Sequence, residues 1–258
     1  MKKRGEPMLG IERRQRIMEK LIAEQKVYVS ELAGKFGVTE ETIRRDLEKL
    51  ESKDLLRRSY GGAVLAEHTG DDISFVKRST IESVSKQRIA EKAARLVHDG
   101  DSIMVDSSTT CLALLSKLQT KKDLTIITNS VRIVHDFLAA PFTLISAGGR
   151  LRPNSCALVG SDTIATLTRY NVDLALLSCK ALDRERGIME SNEAESLVKE
   201  RMAHQARRRV LLADHTKLGR TALVRSFGFD AVNTLVTDEP LDEGWREFLT
   251  RENVELVD

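Results

Sequence analysis

The stretch Ser30-Glu31-Leu32-Ala33-Gly34-Lys35-Phe36-Gly37-Val38-Thr39-Glu40-Glu41-Thr42-Ile43-Arg44-Arg45-Asp46-Leu47-Glu48-Lys49-Leu50 decides how the amino-terminal end folds. Ser30 stands where a helix N-cap is expected, ahead of Leu32, Ala33 and Phe36. Gly37 can take the positive φ that ends a helix. Thr39 is a second N-cap, with Glu40 and Glu41 in the first turn where the helix dipole favours acids. The helix it opens is expected to run to about Lys53, with Ile43, Leu47 and Leu50 as one apolar stripe. Two helices flanking a tight Phe36-Gly37-Val38-Thr39 turn form a helix-turn-helix, whose second helix enters the major groove of duplex DNA by its N-terminal end.

The flanks agree with this reading. Upstream, Ile17, Leu21 and Ile22 recur at helical spacing within Arg13–Gln25, and the β-favouring run Val27-Tyr28-Val29 follows. Downstream, Leu55-Leu56-Arg57-Arg58-Ser59-Tyr60-Gly61-Gly62-Ala63-Val64-Leu65 reads as a hairpin about a Gly-Gly turn, in the position of a wing. The residues off the buried stripe at the reading end are Thr39, Thr42, Arg44 and Arg45, with Ser30 opening the helix before them. Arginine pairs bidentately with guanine edges, and threonine bonds phosphate or meets a thymine methyl. In the wing, Arg57, Arg58, Tyr60 and Gly61 are candidates for phosphate or minor-groove contacts. Glu48, four residues beyond Arg44, offers the plainer alternative of a solvated i,i+4 pair.

The 258-residue chain carries a formal charge of only +2, unevenly distributed. Residues 1–65 hold 15 Lys+Arg and 11 Asp+Glu, a net of +4, and the remainder is mildly acidic. A basic head on an acidic body suggests that only the head meets a polyanion. Hydrophobic residues at 41% are enough for a core and argue against disorder. Aromatics at 4% argue against a stacking platform for single strands. No apolar run approaches the ~18 residues of a membrane span, so no membrane partner and a cytoplasmic location are expected. Cys111, Cys156 and Cys179 are scattered, and His68, His98, His135, His204 and His215 show no ligand spacing, so no disulfide, metal or cofactor is expected.

Beyond a polar connector at 66–75, a helix is expected over Val76–Val97. Short apolar runs then alternate with helical patterns. Strands are expected at Ser102–Val105, Leu124–Thr128, Phe142–Ser146, Val172–Ser178, Val210–Ala213 and Thr234–Thr237. Helices are expected at Thr109–Leu118, Val131–Ala139, Thr163–Tyr170 and Glu195–Ala206. The fold class is therefore α/β: a small α+β winged-helix domain at 8–65, then a mostly parallel sheet covered by helices at 76–258. In such sheets ligands bind beyond the carboxyl ends of the strands. Those ends read Asp106-Ser107-Ser108-Thr109-Thr110, Thr128-Asn129-Ser130 and Gly148-Gly149. Further on come Lys180, Asp183, Glu195 and Lys199, then Asp214 with Lys217. Hydroxyls and free N–H groups at a helix start suit a phosphate, though Ser and Thr are also the ordinary N-caps. Glu195 and Lys199 could equally be a surface pair.

Thr42-Ile43-Arg44-Arg45-Asp46-Leu47, Leu50-Glu51 and Arg58-Ser59-Tyr60-Gly61-Gly62-Ala63 resemble the N-terminal signature of the DeoR family of bacterial transcriptional regulators. Met8–Ile17 resembles how such proteins begin. In the body, Lys86–Ala93, Asp106–Thr110, Thr128–Ser130, Gly148-Gly149, Gly160, Glu195 with Lys199 and Met202, Ala213–Lys217 and Thr237-Asp238 resemble the family's C-terminal sensor domain. That resemblance implies a fold similar to ribose-5-phosphate isomerases, a phosphorylated sugar as effector, and repression of a sugar-utilisation operon relieved by it. Three places depart from the family pattern: Ser108 for glycine, Ser178-Cys179-Lys180-Ala181, and Met189-Glu190.

The reading is thus a DNA-binding regulator rather than an enzyme. Its partners would be a double-stranded operator, a sugar phosphate, and further copies of itself as a dimer or tetramer, because one head covers few base pairs. The alternative is a sugar-phosphate isomerase-like enzyme with an accessory head, since Asp, Glu, Lys and His could do acid–base work. Fold similarity alone does not convey activity.

Overall fold

A computed structural model describes residues 9–24, 26–52, 56–65, 69–70 and 72–258. The chain divides into two compact units, 1–68 and 69–258. Met8, Gln25, Lys53, Leu55, His68 and Asp71 lie outside the described residues.

The first unit runs α1 (Gly10–Glu24), β1 (Lys26–Tyr28), α2 (Val29–Phe36), α3 (Glu40–Glu51), β2 (Leu56–Ser59) and β3 (Gly62–Leu65). Ile17, Leu21, Leu32, Ile43, Leu47 and Leu56 are all at most 1% exposed and form its core. Each such burial contributes about 1.5–3 kcal/mol over exposure. Gly37 has φ 64° and donates its N–H to Ala33 O, ending α2. Thr39 caps α3 by accepting from Thr42 N.

Two details differ from the sequence reading. Ser30 is not the cap of α2 but its second residue. Val29 enters the helix because its side chain is buried and its N–H is taken by Gly61 O at 2.9 Å. The wing turn is Tyr60-Gly61, not Gly61-Gly62. Gly61 has φ 81°, whereas Gly62 opens β3, where a Cβ would stand 2.1 Å from Val27 O. That close approach lets β1 join the hairpin as a third strand, in the order β1-β3-β2.

In the second unit the expected helix Val76–Val97 is two: α4 (Phe75–Thr80) and α5 (Ser83–Ala93), followed by a 3-10 turn at Ala94–Leu96. Between them Ile81 is extended and Glu82 left-handed, at φ 49°. The break is held by two side chains of α5. Lys86 Nζ donates to Ile81 O, and Ser85 Oγ lies 3.1 Å from Glu82 Oε2.

The chain then continues β4 (Ser102–Val105), α6 (Thr109–Leu115), β5 (Thr125–Thr128), α7 (Val131–Asp136), β6 (Thr143–Ser146), β7 (Arg150–Arg152), β8 (Ala157–Val159), α8 (Ser161–Thr168) and β9 (Val172–Ser178). It closes with β10 (Ala181–Asp183), β11 (Gly187–Glu190), α9 (Glu193–His204), β12 (Ala206–Leu212), β13 (Val224–Phe227), β14 (Thr234–Val236), α10 (Glu243–Arg251) and β15 (Glu255–Val257). Seven strands form one sheet in the order β15-β14-β12-β9-β4-β5-β6, and every pairing in it is parallel. Helices cover both faces. Ile89 and Ala93 of α5 and Leu114 and Leu115 of α6 pack on Ile103, Val105 and Val210. Val198 and Met202 of α9 pack on Met104, Ala175 and Leu177.

Four pieces had no counterpart in the sequence reading: the ribbon β7-β8, the antiparallel sheet β10-β11-β13, α10 and β15. β12 also starts four residues early, because Arg207–Arg209 conceal its first half from an apolar-run search.

Candidate functional site

In the head, the exposed end of α3 carries Arg44 and Arg45, with side chains 54% and 73% accessible. Arg44 pairs with Glu40 at 2.6 Å, not with Glu48, and Arg45 with Glu41 at 3.3 Å. Exposed pairs of this kind contribute little and are easily exchanged for a stronger anion. Thr42 Oγ1 lies 2.9 Å from Thr39 Oγ1, so the two hydroxyls form one unit at the helix start. Ser30 is exposed on α2, and Tyr60 is fully exposed at the wing tip beside Gly61. Arg58 is exposed but paired with α3. Its Nε is 2.5 Å from Glu51 Oε2 and its backbone N–H donates to Oε1. That contact raises the arginine and holds Glu51 below its ordinary range. Arg57 sits in β2, and its side chain lies outside the described residues. The stripe conceals one polar member: Asp46, 3% exposed, accepts from Arg13 Nε and Arg14 Nη1 and so ties α1 to the back of α3.

In the body, the parallel order sets the carboxyl ends of β12, β9, β4, β5 and β6 side by side. Asp214, Ser178, Asp106, Thr128–Ser130 and Gly148-Gly149 therefore lie along one edge. Asp106 is buried. Its Oδ1 accepts from Ser108 N at 2.9 Å and its Oδ2 from Ser178 N at 2.8 Å, and Lys199 Nζ is 3.1 Å from Oδ2. Burial opposes its charge, but Lys199 and the N–H donors outweigh burial and hold it below the usual carboxylate range. Lys199 also donates to Ser178 O at 2.6 Å and to Glu190. Against the pull of burial, Asp106 and Glu190 keep the ammonium charged, while burial raises Glu190 despite its partner. Glu195 and Lys199 are both buried and each has a separate partner, Arg152 for Glu195. They are not a surface pair.

The next loop is Ser107–Thr110, whose four side chains are all buried. Ser108 caps α6, accepting from Cys111 N at 3.1 Å. Among the described residues, the hydroxyls of Ser107, Thr109 and Thr110 make no hydrogen bond to the protein. Thr109 shares an open pocket of about 300 Å³ with Lys86. Lys86 is lowered to about 8, first by burial and then by Lys217 and Arg78, against Asp214 and Glu82. Lys217 makes no ion pair or hydrogen bond through its ammonium among the described residues. At the neighbouring end, Thr128 Oγ1 donates to Val105 O at 2.7 Å, and Ser130 caps α7. Asn129 Nδ2 donates to Leu158 O at 3.0 Å, while its Oδ1 is buried without a partner.

Other candidates have structural duties. Gly149, φ 109°, is required because a Cβ would lie 2.0 Å from Thr163 Oγ1, and that hydroxyl donates to Gly148 O. Asp183 accepts from Glu185 N and Arg186 N and so holds the β10–β11 turn. Lys180 is half-buried, with its N–H on Met189 O. Asp214 caps the 3-10 turn at His215–Lys217, accepting from Thr216 N and Oγ1. That turn is pinned by His215 Nδ1, 2.9 Å from Asp238 Oδ2. His215, Asp238 and Glu239 bring ligand atoms within 4.8 Å of one another, which histidine spacing alone did not show. The hydrogen bond accounts for the pair at its centre.

The sequence reading of site residues missed Lys86, Arg152 and Asp46. Running one helix through Val76–Val97 placed Lys86 mid-helix, where it opened the family-like segment Lys86–Ala93 but was given no part in the site. Asp46 was legible only as the polar member of an i,i+3,i+4 stripe. Arg152 gave no signal beyond its position two residues past the glycine loop.

Residues 13–69 match the DeoR-like helix-turn-helix domain, and residues 81–239 the DeoR C terminal sensor domain. The chain is 38% identical over 236 residues to the uncharacterized HTH-type transcriptional regulator YulB of Bacillus subtilis (strain 168), spanning 91% of each. It is 29% identical over 238 residues to the glycerol-3-phosphate regulon repressor of Escherichia coli (strain K12), spanning 91% of this chain and 94% of that one. Among solved structures it is similar to ribose 5-phosphate isomerase A from Methanocaldococcus jannaschii, at a TM-score of 0.39 and 17% identity over 52% of this chain and 53% of that one. With both of its units matched, the chain belongs to the DeoR family of transcriptional regulators.

Proposed function

We propose that the protein is a transcriptional repressor of a sugar-utilisation operon, released from its operator when a phosphorylated sugar binds the body. The observation that carries this is the loop Ser107–Thr110: buried residues of which Ser107, Thr109 and Thr110 keep their hydroxyls free of hydrogen bonds among the described residues, with Thr109 beside Lys86, on a unit that shares a chain with a DNA-reading head. The phosphate is assigned to that loop, with charge from Lys86 and Lys217. Lys199 does not serve this purpose, because Asp106 and Glu190 already neutralise it. The sugar would lie toward Asn129, whose Oδ1 lacks a donor. That the E. coli relative is named for a phosphorylated polyol supports the effector class.

In the head, Thr39, Thr42, Arg44 and Arg45 would read the groove, with Ser30, Arg57, Tyr60 and Gly61 on the backbone. Arg58 is better placed to brace the wing against α3. The protein would act as a homo-oligomer assembled through residues 69–258, since operator half-sites need two heads. Chemistry on the sugar is disfavoured. Asp106, Glu190 and Lys199 are tied up with one another, and Lys86, the group lowered toward the operating pH, has its Nζ on Ile81 O at the break between α4 and α5.

A thermal-shift panel of sugar phosphates against the full chain tests the reading. At a hundred times its Kd, a true effector stabilises the fold by about 2.7 kcal/mol. Stabilisation by none of the panel, or turnover of a sugar phosphate, would overturn it.

A further inference from the structure

Arg152, at the end of β7, lies outside the strand ends that frame the candidate site, yet its guanidinium spans two carboxylates. Nη2 pairs with Asp72, and Nη1 is 2.8 Å from Glu195 Oε1 and 3.2 Å from Ser155 Oγ. Asp72 is held from a second direction by Asn154, whose Nδ2 donates to Asp72 O at 2.7 Å and to its Oδ2 at 2.5 Å. Arg78 is the other cation near Asp72. The three charged side chains are only 21%, 24% and 9% exposed for Arg152, Asp72 and Glu195.

The two carboxylates belong to different parts of the fold. Asp72 comes four residues after the first unit ends at 68, in the stretch by which the chain enters the body. Glu195 is in the first turn of α9, one turn ahead of Lys199. Lys199 holds Asp106, and Asp106 holds Ser108 N at the start of the hydroxyl loop. A guanidinium is a rigid planar fork. When α9 shifts, Arg152 cannot follow Glu195 without straining its bond to Asp72.

We propose that Arg152 is the positioning residue that couples the entering segment at Asp72 to the effector site through Glu195 and Lys199. This rests on the effector reading above. It adds the route by which occupancy of the loop reaches the segment leading to the head. The simpler account, that Arg152 only pins its own ribbon, predicts purely local effects when the pair is broken.

Hydrogen exchange on the full chain, without ligand, separates the two. In Asp72→Asn, amides at 193–199 and 107–112 should exchange about fivefold faster than in wild type, the effect of losing a part-buried ion pair on a local opening. Arg152→Lys, which keeps the charge but cannot span both carboxylates, should do the same. Acceleration confined to 69–80 and 150–156 overturns the proposal. So does uniform acceleration that includes α10, which reports global loosening. Inorganic phosphate in excess supplies a second arm: in wild type it should protect 107–112 and alter 69–80, and in Asp72→Asn only the first. If phosphate leaves 107–112 unprotected in wild type, the phosphate reading of the loop fails, while the ligand-free comparison still decides the role of Arg152.

Discussion

Lys199 Nζ lies 3.1 Å from Asp106 Oδ2, with the two side chains 7% and 1% exposed. The pair, with Glu190, joins the ends of β4 and β11 to α9 at the place where a ligand of such a sheet would sit. Removing one partner leaves the other charge buried and uncompensated. Lys199→Met should therefore destabilise the body by about 3–5 kcal/mol, read from urea unfolding. A loss within the error of the measurement would mean that water reaches the cluster.

Thr109→Asp places a carboxylate in the hydroxyl loop beside Lys86. DNA affinity should be unchanged and the response to a sugar phosphate abolished, because the new charge repels the phosphate. Binding of a labelled operator duplex, measured with and without the ligand, checks both halves. A normal response removes Thr109 from the site.

Lys86 gives the site a pH dependence. Burial lowers it to about 8 in the ligand-free fold, from an ordinary 10.5. Between those values the unfolded chain binds more protons, so this group makes the free protein more stable as pH rises through that window. A bound phosphate favours the charged form. Its affinity should fall above pH 8 by up to about tenfold per unit, with a proton taken up on binding. Calorimetry in buffers of different ionisation enthalpy reads that proton directly, and Lys86→Met should show no uptake.

Arg45 has only an exposed partner in Glu41. If it reads a base, Arg45→Ala should weaken operator binding by about 1–3 kcal/mol and relax preference at a single position. Equal weakening on every duplex would make it a phosphate contact.

Gly149→Ala forces a Cβ into Thr163 Oγ1 at φ 109°. The body should lose about 1–3 kcal/mol, the usual magnitude of strain at such a backbone position. Unchanged unfolding would mean that α8 can move aside.

The head was legible because each of its signals is local: Gly37 and Thr39 punctuate the two helices, and Ile43, Leu47 and Leu50 mark the buried face. The parallel sheet was legible for a related reason, since strands buried on both faces read as apolar runs. Val172–Ser178 was bounded to the residue. What escaped depended on partners distant in sequence. The break at Ile81-Glu82 is held by Lys86, and the ribbon ending in Arg152 is held by Asp72, 80 residues away. Gly148-Gly149 looked like a ligand approach, but its geometry is set by Thr163. Asp106, Thr128–Ser130, Gly148-Gly149 and Asp214 do follow neighbouring strands of the parallel sheet, whereas Asp183 belongs to the antiparallel sheet and Glu195 and Lys199 to α9. Which of them had charge to spare was not readable, because Lys199 looks free until Glu190 and Asp106 are seen beside it.

The most direct measurement is the affinity of the full-length protein for an operator duplex, selected from random sequence, with and without a saturating sugar phosphate identified by thermal shift. The account predicts that the ligand weakens DNA binding by about 5–150-fold, and that the duplex weakens ligand binding by the same factor. A ligand that saturates the body while leaving the duplex affinity unchanged would contradict it.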